Sequence, residues 1–461
     1  MKKIRSEKNT SKENSSQDRA ESGKLKEVKS NVAGIDVGSE TIFISTTKDD
    51  EVKSFRTFTE SYIQAIEYLK EKEVTSVVME ATGVYWIAFH EMLEEAGLEV
   101  YVVNGRHVKN VPGRKTDVLD CQWLRTLHSY GLLRKSFIPD EKIRALRSYM
   151  RLRDDNVRMG SQHIQHIQKA LELMNIKLTS VLSNIMGVSG LNIIRAILDG
   201  QRNEEELLKL CDRSVRDKKK DEVLKALRGS YKEEHLFLLK QALRSWEFYQ
   251  SQLKECDKEI EKLLIEMTKD KDDISPDTSK PGKRNPGSPN KVEIDQLHRH
   301  ILRLTGGRDA EKMVGISDSL FLQLISELGT DLKSAWKTEK HFTSWLGVVP
   351  PQNRSGKGKR RFKGKINTRA GQLFRLAARG VAKSKDTALG GFYWRKKSKH
   401  GGKVANKATA RKLAVMFYNI MTKGIIFVEQ VLKKYQENYD RKRLESLKKQ
   451  AARFNLSLVP A

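Results

Sequence analysis

Residues 31–47 read NVAGIDVGSETIFISTT. An apolar run ending near Val37, a Gly38–Ser39 break and a second apolar run from Thr41 spell strand, glycine turn, strand. The stretches that follow keep the same grammar. VKSFRTF (52–58) is a third short strand, and SYIQAIEYLKE (61–71) has helical spacing. TSVVMEA (75–81) is a buried strand followed by the helical VYWIAFHEMLEEAG (84–97). LEVYVVN (98–104) is another strand, and DVLDCQWLRTLHSYG (117–131) another helix. A strand triplet followed by alternating helices and strands predicts an α/β domain with a mixed sheet over residues 31–140.

The flanks differ in composition. Residues 1–30 are rich in Lys, Glu, Ser and Asn and nearly free of apolar residues, which predicts a disordered tail. From 141 to 267 strand signals nearly vanish. The stretches 141–174 and 231–267 repeat apolar residues at three- and four-residue intervals, predicting a helical hairpin or coiled coil. A Lys, Asp, Ser, Pro and Gly stretch at 268–292 reads as a flexible linker or insertion. A helical C-terminal domain over 293–435 then opens with two helices around a turn at Gly329, and residues 436–461 form a closing helix or tail. The fold class is thus α/β plus mainly α.

Charge narrows the partners. The 461 residues hold 87 Lys and Arg against 59 Asp and Glu, a formal net charge of +28. That excess calls for a polyanion, and nucleic acid fits best. An anionic membrane surface is the competing partner. No apolar run approaches the roughly 20 residues that span a bilayer, and the N-terminus has no apolar leader. Cys121, Cys211 and Cys256 are scattered, with neither metal-ligand spacing nor a disulfide framework. A reduced, cytoplasmic setting follows, with no membrane partner.

Two constellations carry chemistry. Asp36 sits where the first strand turns, in GIDVGS, and Glu80 ends the buried strand SVVME. Adjacent strands would present both carboxylates at one sheet edge, and a buried charge needs a partner. Asp117 and Asp120, three apart in RKTDVLDCQWL (114–124), share one helix face. Acids in a first helical turn also suit the helix dipole, so that pair has two readings. Four converging carboxylates need a cation, and hard oxygen ligands suit Mg²⁺ or Mn²⁺. GIDVGS also resembles the phosphate loop of actin-like and sugar-kinase ATPases. Those enzymes also need a second Asp-Gly phosphate loop and a Gly-rich adenosine motif after a strand, and the Gly-Gly pairs at 306, 390 and 401 follow no clear strand.

The second constellation lies in WLGVVPPQNRSGKGKRRFKGKINTRAGQLFRLAARG (345–380). Residues 352–412 hold 20 Lys or Arg and a single acid, Asp386. Ser355 and Gly356 stand between Arg354 and Lys357, followed by Lys359, Arg360, Arg361 and Lys363. Arg369, Arg375 and Arg379 recur along the helix that comes next. One reading is flexibility at Ser-Gly with cations on backbone phosphates. The other makes Ser355 a nucleophile, which needs activation that no nearby His supplies.

GIDVGSE, MEATGVYW and GRKTDVLDCQWL, in that order, resemble the DEDD motifs of insertion-sequence transposases of the IS-one-ten family. The resemblance implies a RuvC-like, RNase H-type N-terminal domain whose metal-binding, catalytic tetrad is Asp36, Glu80, Asp117 and Asp120. It covers residues 31–435 with gaps. The family's second domain carries Pro, Ser-Gly, a basic stretch and a helix with small residues, matched here at Pro350, Ser355, Gly356 and the helix after Thr368. The unit before it, 313–350, resembles the family's helix-hairpin-helix part, although VGISDS (314–319) replaces the usual Pro-Gly-Ile-Gly-like turn. By that resemblance Ser355 is the nucleophile that joins covalently to DNA. The family also implies DNA partners (element ends and target), a structured guide RNA, a homo-oligomer (dimer or tetramer) and a prokaryotic, nucleoid-associated location. Two other classes fit the same residues: a metal-dependent nuclease or junction resolvase without a covalent serine, and a non-catalytic nucleic-acid-binding protein.

Overall fold

The computed structural model of the chain describes residues 27–105, 117–272, 274, 290–311, 313–350, 368–385 and 387–457. Two compact units part after Ile138. The first holds five strands: β1 (Val32–Val37), β2 (Thr41–Thr46), β3 (Asp49–Arg56), β4 (Ser76–Glu80) and β5 (Glu99–Val103), in the order β3-β2-β1-β4-β5. The Gly38 amide donates to the Thr41 carbonyl at 3.0 Å and closes the turn read from GIDVGS. β1, β2 and β3 therefore run as an antiparallel meander, whereas β4 and β5 join parallel beside β1. This is the mixed sheet that the strand triplet implied.

Alternation along β1 and β4 sorts the two faces. Ala33, Ile35, Val37, Val77 and Met79 pack with Ala65, Leu69, Phe89 and Leu93 from the helices Thr59–Glu71 and Trp86–Glu95. On the opposite face Val78 and Val103 meet Leu124 of the helix Asp117–Ser129. The sheet is thus a middle layer with helices on both sides.

Residues 1–26 of the expected disordered tail lie outside the described residues, and its last residues are held on the first unit. The Val28 and Lys29 amides both donate to the Ser129 carbonyl, at 2.8 and 3.0 Å, and cap that helix's last turn. Lys29 Nζ also reaches Glu99 Oε2 at 2.6 Å. Composition hides such contacts because they are made by backbone amides and by one lysine.

The second unit is helical. Helices Glu141–Leu173 and Glu233–Thr268 lie antiparallel: Lys142 pairs with Glu266 at 3.1 Å, Arg153 with Asp257 at 2.5 Å, and Gly160 abuts Trp246 and Tyr249. The hairpin is not a simple one. Four shorter helices between Leu178 and Leu227 fill its closed end with an apolar core that includes Met174, Ile193, Leu207 and Leu243. Arg147 donates to the Ser326 and Glu327 carbonyls at 3.1 and 2.8 Å, and Arg151 grips the Glu327 carboxylate with two 2.8 Å bonds. These bonds fasten the hairpin to the helix Asp318–Leu328.

Phe321, Phe342, Phe374 and Phe417 form the aromatic centre of the C-terminal helices. Gly329, at φ +70°, ends Asp318–Leu328 as the sequence suggested. A short extra helix, Leu332–Ala335, then precedes Glu339–Trp345, making three helices where two were expected. The expected boundary at 435/436 falls inside one helix, Ile425–Ala452. Among the described residues no helix is long and apolar enough to cross a membrane.

Candidate active site

The last register pair between β1 and β4 is Ile35 with Met79. Asp36 and Glu80 each stand one residue further along these parallel strands, so they are neighbours at the same sheet edge. Both are half-buried, whereas the residues just before them are buried. Alternation turns them away from the Ile35 and Met79 core, toward the face that carries the Asp117–Ser129 helix. Gly105, just beyond β5, lies against this edge: a Cβ there would overlap the Glu80 carboxylate.

Gly34 decides how that helix sits. A Cβ on Gly34 would overlap the Cys121 carbonyl and the Arg125 amide, so the helix backbone lies directly on β1. Arg125 Nη1 donates to the Thr46 carbonyl at 2.6 Å. Nearer the helix C-terminus, His128 Nε2 is 2.8 Å from Ser76 Oγ, at the start of β4. The helix therefore runs antiparallel to β1, with its N-terminal end toward the carboxyl ends of β1 and β4. Burial, reinforced by the Asp36 charge, pushes the Cys121 thiol up to about 12, a second sign that Asp36 faces this part of the helix. Asp120 is exposed one residue before Cys121, and Asp117 is the first residue of the helix. Asp36 and Glu80 are thus brought together, with the aspartate-bearing helix end directed at their edge. The Asp117 side chain lies outside what the structure describes.

The sequence reading gave no role to Gly34, Gly105 or Arg125, and took Cys121 only as one of three scattered cysteines. The signal for Gly34 was present: a glycine inside an apolar strand marks close approach of another backbone.

Ser355, Gly356, Arg354, Lys357, Lys359, Arg360, Arg361 and Lys363 lie outside the described residues. The chain on either side of them is defined. Thr368 caps the helix Arg369–Val381 by accepting from the Gly371 amide at 3.0 Å, and its hydroxyl donates to the Leu346 carbonyl at 3.4 Å. A Cβ on Gly371 would overlap that same carbonyl. The start of the Arg369–Val381 helix is therefore seated on the end of the Glu339–Trp345 helix. Arg369 and Arg379 are exposed. Arg375 is half-buried, and its Nε donates to the Gly371 carbonyl at 3.0 Å.

A histidine outside the sequence reading also organises this unit. His298 Nδ1 lies 2.6 Å from Asp318 and 3.2 Å from Glu311, and Nε2 lies 3.6 Å from Asp309. Hydrogen bonds to Asp309 and Asp318 hold its pKa up to about 10. The charged ring ties the helix Leu297–Thr305 to the start of Asp318–Leu328.

Comparison with known families follows this division. Residues 33–176 match the DEDD transposase model of the IS110 type, and residues 308–393 match the model of the transposase IS116/IS110/IS902 family. A search of curated proteins finds no match. The first matched span contains Asp36, Glu80, Asp117 and Asp120, and the second contains Ser355. Both models describe transposases, which bind, cut and rejoin DNA, and the DEDD domain implies dependence on a divalent metal. Two models of one family, in their expected order and carrying both motif sets, identify the chain as a member of the IS110 (IS-one-ten) family of insertion-sequence transposases.

Proposed function

We propose that the chain is a recombinase that moves its insertion sequence with a metal-bound carboxylate tetrad, Asp36, Glu80, Asp117 and Asp120, and a serine nucleophile, Ser355. The observation that carries this reading is the placement of Asp36 and Glu80 at one sheet edge, toward which the Asp117–Ser129 helix directs its N-terminal end. The donor set fits Mg²⁺, or Mn²⁺ in its place. It is all carboxylate oxygen, and Gly105 leaves room around Glu80 that any side chain would fill. Divalent ions held by such a set stabilise the attacking and leaving oxygens of a phosphodiester.

The protein's own groups supply the rest. Asp36 and Glu80 are fixed by strand register, and the tetrad's negative charge would repel phosphate unless compensated. Ser355 Oγ forms the bond to phosphorus while the bond from phosphorus to one DNA oxygen breaks, and that oxygen leaves with a proton. A DNA hydroxyl then reverses the exchange and releases the serine. Arg354, Lys357, Lys359, Arg360, Arg361 and Lys363 offset phosphate charge beside it, and Gly356 allows close approach. Arg369, Arg375 and Arg379 extend the cationic surface.

In this reading residues 31–140 form the RuvC-like domain, 141–267 the coiled coil that mediates assembly, and 293–435 the transposase domain. A structured RNA from the element's own ends guides the enzyme, and a dimer or tetramer holds the DNA ends in the prokaryotic cytoplasm, at the nucleoid. The deciding experiment incubates purified protein with labelled element-end DNA, Mg²⁺ and co-purified RNA, and resolves products on denaturing gels. The reading expects a protein–DNA adduct mapped by peptide mass spectrometry to Ser355 and abolished by chelation or by Ser355→Ala. Recombination by Ser355→Ala at the wild-type level would leave a metal-only mechanism.

A further inference from the structure

Two aromatic rings to which the carboxylate motifs give no role stand at the carboxylate end of the sheet. β3 ends with Arg56 opposite Thr41, whose carbonyl closes the turn beyond Asp36, and β4 ends at Glu80. The helices Thr59–Glu71 and Trp86–Glu95 therefore both begin at this edge. Phe58 precedes the first and Tyr85 the second, and neither helix start has a side-chain cap.

One turn further in, the two helices meet ring to ring. Tyr62 and Phe89 are buried and stacked, with 4.6 Å between ring centres. Phe58 and Tyr85 sit at i−4 from these rings, on the same helix faces. They carry the line of rings out into solvent: Phe58 is 64% exposed and Tyr85 47%, with Val84 beside it at 69%. The turn that leads to Tyr85 folds back at Gly83, φ +54°, and its Thr82 amide donates to the Glu80 carbonyl at 2.9 Å. Tyr85 is thus tied to the strand end that presents Glu80.

The position before a helix favours Ser, Thr, Asp or Asn, whose side chains satisfy the first amides. Two rings there forgo that stabilisation and keep apolar surface in water. A local rule broken twice at one edge, with little packing gained, marks a site of use. The Arg56 guanidinium lies 5.7 Å from the Phe58 ring centre and sets a cation beside the ring.

We infer that Phe58 and Tyr85 form a stacking ledge for an unpaired DNA base flanking the phosphate that is cut. The inference rests on the reading that Asp36 and Glu80 serve cleavage at this edge. The carboxylates turn toward the Asp117–Ser129 helix and the rings lie with the helices of the opposite face, so a strand crossing the edge meets both. Carboxylates repel phosphate where no metal compensates them, but a base offers an uncharged π-face that a ring accepts in any sequence. A base lifted from its neighbours at the cut loses their stacking, and the ledge replaces it. Arg56 supplies a cation for an adjoining phosphate.

The experiment places a fluorescent adenine analogue at successive positions around the mapped cut in element-end DNA. Full-length protein is bound with co-purified RNA and a chelator, so that no strand is cut. Wild type should quench one flanking position by stacking. Phe58→Ala and Tyr85→Ala should each lose that quenching, and Tyr85→Phe should keep it. With Mg²⁺, Tyr85→Ala should cut intact DNA about tenfold more slowly, yet match wild type on DNA lacking that base. Duplex affinity should stay within about twofold of wild type, because backbone contacts dominate it. Thermal melting checks folding, and Tyr85→Leu, which keeps bulk without a π-face, replaces the alanine variant if that one melts early. A folded Tyr85→Ala protein that quenches as wild type overturns the inference. So does an equal loss of cutting on both DNAs, or quenching seen only with the analogue in the RNA. Failure of the tetrad reading shows separately, as wild-type cutting by Asp36→Asn; ring-dependent quenching beside the cut would still uphold the ledge.

Discussion

Gly34 on β1 lies directly beneath the Cys121 carbonyl of the helix Asp117–Ser129, two residues before Asp36. That contact sets the height of the helix above the sheet, and hence how far Asp120 stands from the β1 edge. Gly34→Val should push the helix outward, costing about 1–3 kcal/mol by overpacking. DNA binding through the second unit should survive while metal-dependent cleavage is lost. Urea denaturation and cleavage assays on one preparation check both parts. Cleavage retained at the wild-type rate would show that the helix does not carry the site.

Gly105→Ala acts on the other side. Its methyl group would press on the Glu80 carboxylate, so the Mg²⁺ concentration for half-maximal cleavage should rise several-fold. Thermal stability should change little, because Gly105 is half-buried beyond the strand end. Titrating Mg²⁺ against cleavage rate measures the shift, and an unchanged titration would remove Gly105 from the site.

Arg153 and Asp257, each 3% exposed, form a buried pair in the helical hairpin. Arg153 also donates to the Asn290 and Lys291 carbonyls at 3.2 and 2.9 Å, and the Glu293 amide donates to Asp257 at 3.0 Å. The pair thus seats residues 290–293; most of the expected 268–292 linker lies outside the described residues. Asp257→Ala should cost about 3–5 kcal/mol by leaving the Arg153 charge uncompensated. Arg153→Met/Asp257→Leu should cost less than the sum of the single changes. Equilibrium unfolding of the four proteins decides it.

Two histidines give opposite pH signatures. Burial, with a smaller push from Lys29, lowers His128 from 6.5 to about 4. The unfolded chain then binds more protons between these values, so the His128 contribution is present above pH 6.5 and lost as pH falls toward 4. His298 is raised from 6.5 to about 10. Its contribution is present below pH 6.5 and disappears as pH rises through 10. His128→Gln should flatten the acid side of the stability profile and His298→Gln the alkaline side. Profiles unchanged by either substitution would contradict these assignments.

The five-stranded sheet was legible because β1, β4 and β5 are short apolar runs, with Asp36 next to the end of β1 and Glu80 at the end of β4. The pairing of those two carboxylates followed from the sequence once the strands were adjacent and parallel. What was not legible is long-range. The backbone cap from Val28 and Lys29 to Ser129, the grip of Arg147 and Arg151 on the Asp318–Leu328 helix, and the His298 cluster all join residues far apart in sequence. Polar residues of this kind look like solvated surface until tertiary packing brings their partners near. The 174–232 insertion in the hairpin was missed for another reason: short helices blend into a long helical pattern when periodicity is the main signal.

Asp36, Glu80, Asp117 and Asp120 are proposed to hold the divalent metal on which DNA cleavage depends. The most direct measurement is Mg²⁺-dependent strand cleavage by Asp36→Asn and Asp120→Ala, each beside the wild type on the same labelled element-end DNA. Cleavage should fall by about 100-fold or more, with duplex affinity within about twofold of wild type, because the basic segments are untouched. Cleavage by either variant at the wild-type rate, with the wild-type Mg²⁺ requirement, would contradict it.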